Sequence, residues 1–162
     1  MQSKKHNETD IILLRLPSLF DAKSIAIFAT PPIGIAYVAS SLRSNGFKVS
    51  IYDAVGENPE HNHGFDFESY ASGNLYTNGS SEEECLKAIP KNIKYIGVSF
   101  PFSHEWPLYK KYCKAIKQEH PNSIIIAGGE HATAMPEDCL LECDEIDFVV
   151  SGEGEEIIVE LL

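Results

Sequence analysis

The chain has 162 residues, 43% of them hydrophobic and 23% charged, which suits one globular domain with a real core. Its 24 acidic residues against 13 basic ones leave a formal net charge of -11, a surface that repels nucleic-acid phosphates. No apolar run approaches the ~20 residues of a membrane span. The opening "MQSKKHNETD" has no apolar signal core, so a cytoplasmic location is expected.

Residues 1–10 read as a polar, mobile tail and residues 11–162 as a single domain. "DIILLRLP" (10–17) is a first strand. "GIAYVASSLRSNG" (34–46) is an amphipathic helix with Ile35, Val38, Ala39 and Leu42 on one face and Gly46 as its stop. "FKVSIYD" (47–53) is a second strand. "SEEECLKAI" (81–89) opens with a capping box from Ser81 to Glu84 and ends before Pro90. "KYIGVSF" (94–100) is a third strand, followed by a helix over 107–120 with Pro107 at its first position. "SIIIAGG" (123–129) is a fourth strand, too apolar to have a wet face. A short helix over 136–143, a strand over 147–152 and a helix from 155 onward complete the chain.

Uniformly apolar strands separated by helices predict a parallel sheet covered on both faces. The expected architecture is α/β, a flavodoxin-like, doubly wound five-stranded parallel sheet with strand order 2-1-3-4-5. Two stretches break the alternation. Residues 17–33 form a long connection, and residues 54–80 are polar, rich in Gly and Asn, and too long for an ordinary loop. The latter reads as a lid or a disordered segment, with His61 and His63 as solvated loop residues. The last helix carries Ile157, Ile158, Leu161 and Leu162 and has no stop signal, so an apolar patch is expected there.

Four cysteines, Cys85, Cys113, Cys139 and Cys143, read as free, packed thiols in a reducing compartment. Cys139 and Cys143 have the spacing of half an iron–sulfur motif, but Ile146 stands where a third cysteine would follow. No residue is assigned to a metal.

In such a sheet the ligand lies beyond the carboxyl ends of the strands. The loops there are "ATPPIG", "SFPFSHEWP", "AGGEHATAMPE" and "SGEGEE", rich in Gly, Pro, Ser and aromatics. No phosphate-loop pattern and no Lys occurs in them, while Glu130, Glu153 and Glu155 add negative charge, so a large, weakly charged ligand is expected. His104 and Glu105 as an acid–base dyad would need a third, orienting group, and none is evident. Gly128 and Gly129 let another group approach the backbone closely, and Gly129→Val is expected to fill that space without disturbing the fold.

The segments "PPIGIAYVASSLRSNGFKVSIYDA", "IGVSFPFSHEWP", "IIAGGEHATAMPE" and "DFVVSGEGEE" together resemble the cobalamin-binding domain that precedes the catalytic domain of cobalamin-dependent radical S-adenosylmethionine enzymes. The resemblance runs from about residue 11 to residue 162. It implies a cofactor set of Thr30, Pro32, Ser99, Phe100, Ser103, His104, Glu105, Trp106, Gly128, Gly129, Glu130, His131, Gly152, Glu153 and Gly154. Ser99 would bond the displaced dimethylbenzimidazole, the loop from Phe100 to Trp106 would face the corrin, and the Gly128-Gly129 pair would admit the nucleotide tail. Gly152 to Glu155 would close over the corrin edge.

The Asp-x-His-x-x-Gly signature of other cobalamin proteins is absent, its place taken by Thr30-Pro31-Pro32-Ile33-Gly34. A base-off cofactor without a histidine from that loop is therefore implied, with His104 or His131 as alternative ligands. No C-x-x-x-C-x-x-C occurs, so a 4Fe-4S cluster and S-adenosylmethionine would come only with a further C-terminal catalytic domain. This chain would bind the cofactor and has no assigned catalytic residue. The rival readings are a freestanding cobalamin carrier or sensor, and a flavodoxin-like domain for a flavin or sugar nucleotide.

Overall fold

The computed structural model describes residues 9–21, 30–65 and 75–162. In chain order the elements are β1 (Ile11–Arg15), β2 (Ser18–Asp21), α1 (Ile33–Ser44), β3 (Val49–Asp53), α2 (Ala54–Glu57), β4 (Asn62–Phe65), β5 (Leu75–Asn78), α3 (Glu82–Ala88), β6 (Tyr95–Ser99), α4 (Trp106–Glu119), β7 (Ile124–Gly128), α5 (Glu130–Ala134), α6 (Pro136–Glu142), β8 (Phe148–Val149) and α7 (Gly154–Leu161). β3, β1, β6, β7 and β8 form a five-stranded sheet in that order, and each neighbouring pair is parallel. This is the predicted α/β architecture and strand order. The expected tail lies mostly outside the described residues.

The two-residue period of a strand sorts the apolar side chains onto two faces. Ile12, Leu14, Ile96, Val98, Ile125 and Ala127 pack with Leu108, Tyr112 and Ile116 of α4. Ile11, Leu13 and Ile126 pack on the other side with Ile35, Ala39 and Leu42 of α1 and Ile158 of α7. That split explains why β1 is buried along nearly all its length. The Ser81 capping box forms as predicted, with the Ser81 N–H donating to Glu84 at 2.7 Å.

The sequence reading missed a second sheet. β2, β5 and β4 pair antiparallel in a three-stranded sheet assembled from the two stretches read as irregular. Its strands have four residues each, too short to show a period against their Asn and Gly content. Asn78 holds the sheet to its connection, donating to the Pro59 carbonyl at 2.7 Å and the Asn62 side chain at 3.1 Å. His61 is exposed, but His63 is a half-buried strand residue and not a solvated loop group.

The patch expected on the last helix is also smaller than predicted. Ile158 is buried in the core, Leu161 and Leu162 pack against it, and of the four only Ile157 is classed as exposed. The reason is the close pairing of α7 with α1, which covers one side of the helix.

Gly79 follows β5 and packs its backbone against Ala54, just after β3. Its φ is +126°, and a Cβ there would lie 2.7 Å from the Ala54 carbonyl oxygen. Gly79→Ala should therefore lower unfolding stability by more than about 1 kcal/mol in urea titration. Gly64→Ala in β4, where a Cβ meets nothing within 4 Å, should stay within about 0.5 kcal/mol of the parent.

Candidate functional site

The face of the sheet under α1 and α7 has small residues at its carboxyl end. On that face Gly97, beside Leu13 in register, is followed by Ser99, and Ile126 by Gly128, while Leu13 is followed by Arg15 at the end of β1. α1 and α7 do not fill the space above these small residues, and a cleft of about 200 Å³ remains between them and the sheet. Gly34, Ile35 and Val38 of α1 form one wall, and Gly154 and Ile158 of α7 the other. The walls are joined by Ser41, whose hydroxyl donates to the Glu155 carbonyl at 2.7 Å.

Ser99, Gly128, Gly129, Gly152, Glu153 and Gly154 of the predicted set all line this cleft. The Ser99 hydroxyl has no hydrogen-bond partner among the described residues. Among the described residues the cleft's charged lining is Glu153 and Glu155, with neither Lys nor Arg. Its volume is below the ~300–1,000 Å³ of a pocket that encloses a whole drug-sized ligand. A slot of that size has room for one slender arm of a larger molecule and not for the whole of it.

Gly129 has φ +102°, and a Cβ on it would come within 2.9 Å of the Phe100 carbonyl oxygen. The expectation that Gly129→Val spares the fold is thus corrected, because the added atoms strike backbone. Gly128 is the true open position, its nearest neighbour being the Val150 oxygen at 3.9 Å.

The loop after β6 divides between core and surface. Phe100 is fully buried, its ring stacked on Tyr109 at 4.5 Å. Glu105 is 2% exposed and accepts from the Leu19 N–H at 2.7 Å and from the Tyr109 hydroxyl. Burial raises the Glu105 carboxyl above its ordinary range, against the lowering effect of those two donors. These two residues hold the loop from beneath and do not present a surface to a ligand. Phe102, 54% exposed, stacks on His104 with ring centroids 5.7 Å apart. The His104 Nε2 lies 3.3 Å from the Leu19 carbonyl, which can only accept, so that nitrogen carries the proton.

Trp106 is half-buried and donates through Nε1 to Glu142 at 2.8 Å. His131 is buried, with Nδ1 3.0 Å from the Ser103 hydroxyl. Burial lowers the affinity of His131 for a proton. Thr30 and Glu130 are exposed, and Pro32 is partly covered at the entry to α1.

Sequence reasoning missed Leu13, Gly34, Val38, Gly97 and Ile158 as cleft residues. Gly97 carried a readable signal, since glycine inside an apolar strand marks close approach. Arg15 was also missed. It ends β1, donates to the Thr30 carbonyl at 2.6 Å and pairs with Asp53 of β3 at 3.4 Å, fixing the segment before α1.

Burial pushes the Cys85 thiol up to about 12 and Cys139 up to about 11, so both are inert packing groups at neutral pH. Among the described residues no cluster of three or more His, Cys, Asp or Glu is arranged to hold a metal ion. No helix among them is long and apolar enough to cross a membrane.

The chain is 31% identical over 152 residues to an uncharacterized methyltransferase of Pyrococcus horikoshii, covering 93% of this chain and 28% of that protein. It is 27% identical over 127 residues to cytidylyl-2-hydroxyethylphosphonate methyltransferase of Streptomyces wedmorensis, covering 78% and 23%. A shorter stretch of 42 residues is 48% identical to the anaerobic magnesium-protoporphyrin IX monomethyl ester cyclase of Cereibacter sphaeroides, covering 26% of this chain and 7% of that one. The chain thus spans under a third of the length of these relatives. The model of the B12 binding domain matches residues 27–162, the span that contains both helical walls of the cleft and the loops at its mouth, and the chain belongs to that family.

Proposed function

We propose that this chain is the cobalamin-binding domain of a radical S-adenosylmethionine enzyme of methyltransferase type. The observation that carries the reading is the cleft, floored by small residues, with no cation and one unpartnered hydroxyl, that of Ser99, among its described lining residues. Those features suit the nucleotide tail of a base-off cobalamin, with the Ser99 hydroxyl bonded to its base and the corrin outside on the strand ends. Phe102, Ser103 and His104 form the exposed rim on which the corrin rests. Bound cobalamin supplies the cobalt centre through which a methyl group passes in such enzymes. The methyltransferase relatives support that assignment, and the cluster and S-adenosylmethionine belong to a catalytic domain beyond this chain.

Nothing at the rim offers cobalt a histidine from the loop before α1. His104 holds the Leu19 carbonyl through Nε2 and packs on Phe102, a structural use that requires no metal bond. On this reading bound cobalamin would be base-off and would take no imidazole from the loop before α1.

Titration with hydroxocobalamin, followed by its visible spectrum, tests the reading, and absence of saturable binding would sink it. Gly128→Val should abolish binding while the unfolding midpoint stays close to the parent, because its side chain enters the cleft and strands accept valine. Ser99→Ala should weaken binding by about 1 kcal/mol, one hydrogen bond. His104→Ala should leave the cobalt-centred bands of the bound spectrum where they are. A shift of those bands in this variant alone would place His104 on the metal.

A further inference from the structure

The cleft changes chemistry from its mouth inward. Ser99 ends β6 at the mouth, and two residues before it, about 7 Å back along the strand, stands Gly97. Leu13 and Ile126 flank Gly97 in register. They pack in one apolar cluster with Ile35 and Ile158, Val38 lies against that cluster, and all five line the cleft. The backbone offers little in place of polar side chains. β6 is paired on both sides, by β1 and by β7. The Glu155 carbonyl accepts from Ser41 at 2.7 Å and the Gly128 carbonyl from the Phe100 N–H at 2.7 Å, while the Gly152 N–H donates to Thr133 at 3.0 Å. Among the described lining residues Ser99 has the one neutral polar side chain, and its hydroxyl has no partner.

We propose that this cleft selects its corrinoid by the base of the nucleotide tail. Ser99 anchors the base through one ring nitrogen, and the apolar wall beyond it accepts a benzimidazole, whose remaining edge is hydrocarbon, and rejects a purine of the same outline. The inference rests on the cobalamin reading of the cleft.

Adenine and benzimidazole are both a five-membered ring fused to a six-membered one, so outline does not separate them. Each also offers Ser99 a nitrogen of the five-membered ring, so the anchor does not separate them either. The difference lies on the six-membered ring, where adenine has two nitrogens and an amino group and benzimidazole has only carbon. Against Leu13, Ile35, Ile126 and Ile158 those polar atoms lose water and gain no partner, and one such loss lowers affinity by about tenfold. Glu153 and Glu155 can accept from an amino group, but they stand at the start of α7, Glu153 exposed and Glu155 half-buried, where water competes. The two methyl groups on the benzimidazole of cobalamin add apolar area to the favoured side of the comparison.

Equilibrium dialysis of the whole chain against three hydroxocorrinoids tests the selection: cobalamin, its analogue with unsubstituted benzimidazole, and its analogue with adenine. Cobalamin should bind tightest, and the adenine analogue should bind about tenfold or more weakly than the benzimidazole one. Val38 is half-buried on α1 and lines the cleft, so Val38→Thr keeps the shape of the wall and adds one hydroxyl. It should narrow the benzimidazole-to-adenine ratio by about threefold or more, a comparison in which each ligand's own equilibrium between base-on and base-off forms cancels. Ser99→Ala should weaken both analogues alike and leave that ratio where it is. The wild-type ratio needs no variant, so it decides even where Val38→Thr does not fold. An adenine analogue that binds as tightly as the benzimidazole one, a ratio unmoved by Val38→Thr, or a ratio that collapses in Ser99→Ala would overturn the selection. Cobinamide, which lacks the base and its ribose, is the fourth ligand. Cobinamide binding as tightly as cobalamin, or no saturable binding of any of the four, would overturn the cobalamin reading of the cleft itself.

Discussion

The site depends on a steric constraint: at their carboxyl ends, β6 and β7 carry almost no side chains on one face. Leu13 leans across Gly97, whose missing Cβ would otherwise stand 2.6 Å from the leucine methyl group. Further along, Ser99 and Gly128 leave these strands bare beneath α1 and α7. The opposite face of the same strands carries Ile96, Val98, Ile125 and Ala127 and closes fully onto α4. One sheet thus supports a dense core on one side and a slot on the other, and the difference lies in which residues fall on alternate positions. The cost of leaving such a slot is borne by the lower half of the same face, where Ile11, Leu42 and Ile158 are buried.

The second constraint is on the rim. A loop that must present Phe102 and His104 to solvent cannot rely on their burial for its shape. Its shape comes from beneath, through Phe100 stacked on Tyr109 and Glu105 bonded to both Tyr109 and Leu19. Leu19 belongs to β2, so the small antiparallel sheet supports the rim from one side. His104 adds a second tie to the same residue through the Leu19 carbonyl. The stretch that looked irregular in sequence is in this way part of what holds the site open.

Strand order and the helical walls were legible because each rests on a long, periodic signal. Apolar strands of five residues alternating with helices admit few arrangements, and Ser81 with Glu84 marked a helix start without ambiguity. Ser99 and Gly128 were found because the carboxyl ends of parallel strands are where such a fold places its ligand. The direction of individual loop side chains was not legible. Phe100 and Phe102 are two residues apart and chemically identical, yet one is core and the other is exposed. That choice is made by Tyr109 and Trp106 on α4, which the loop meets only after folding. Gly129 was misjudged for the same reason: its positive φ and its contact with Phe100 come from the loop's path. The four-residue strands of the second sheet were hidden because no period can establish itself over so short a span.

Charge completes the account of what the cleft selects. A nucleotide diphosphate brings several negative charges, which need Lys, Arg or an unoccupied helix N-terminus to offset them. Here the mouth carries Glu153 and Glu155, and the first turn of α7 is already matched by Glu155 and Glu156. The one nearby arginine, Arg15, is engaged with Asp53 and the Thr30 carbonyl. A guest with two or more phosphates would therefore be desolvated beside carboxylates, with no cation among the described lining residues to receive it. A tail whose length is mostly neutral base and sugar, with its charge left at the wet end of the slot, meets no such penalty. On the proposed reading, these carboxylates would select the guest as much as the Ser99 hydroxyl would.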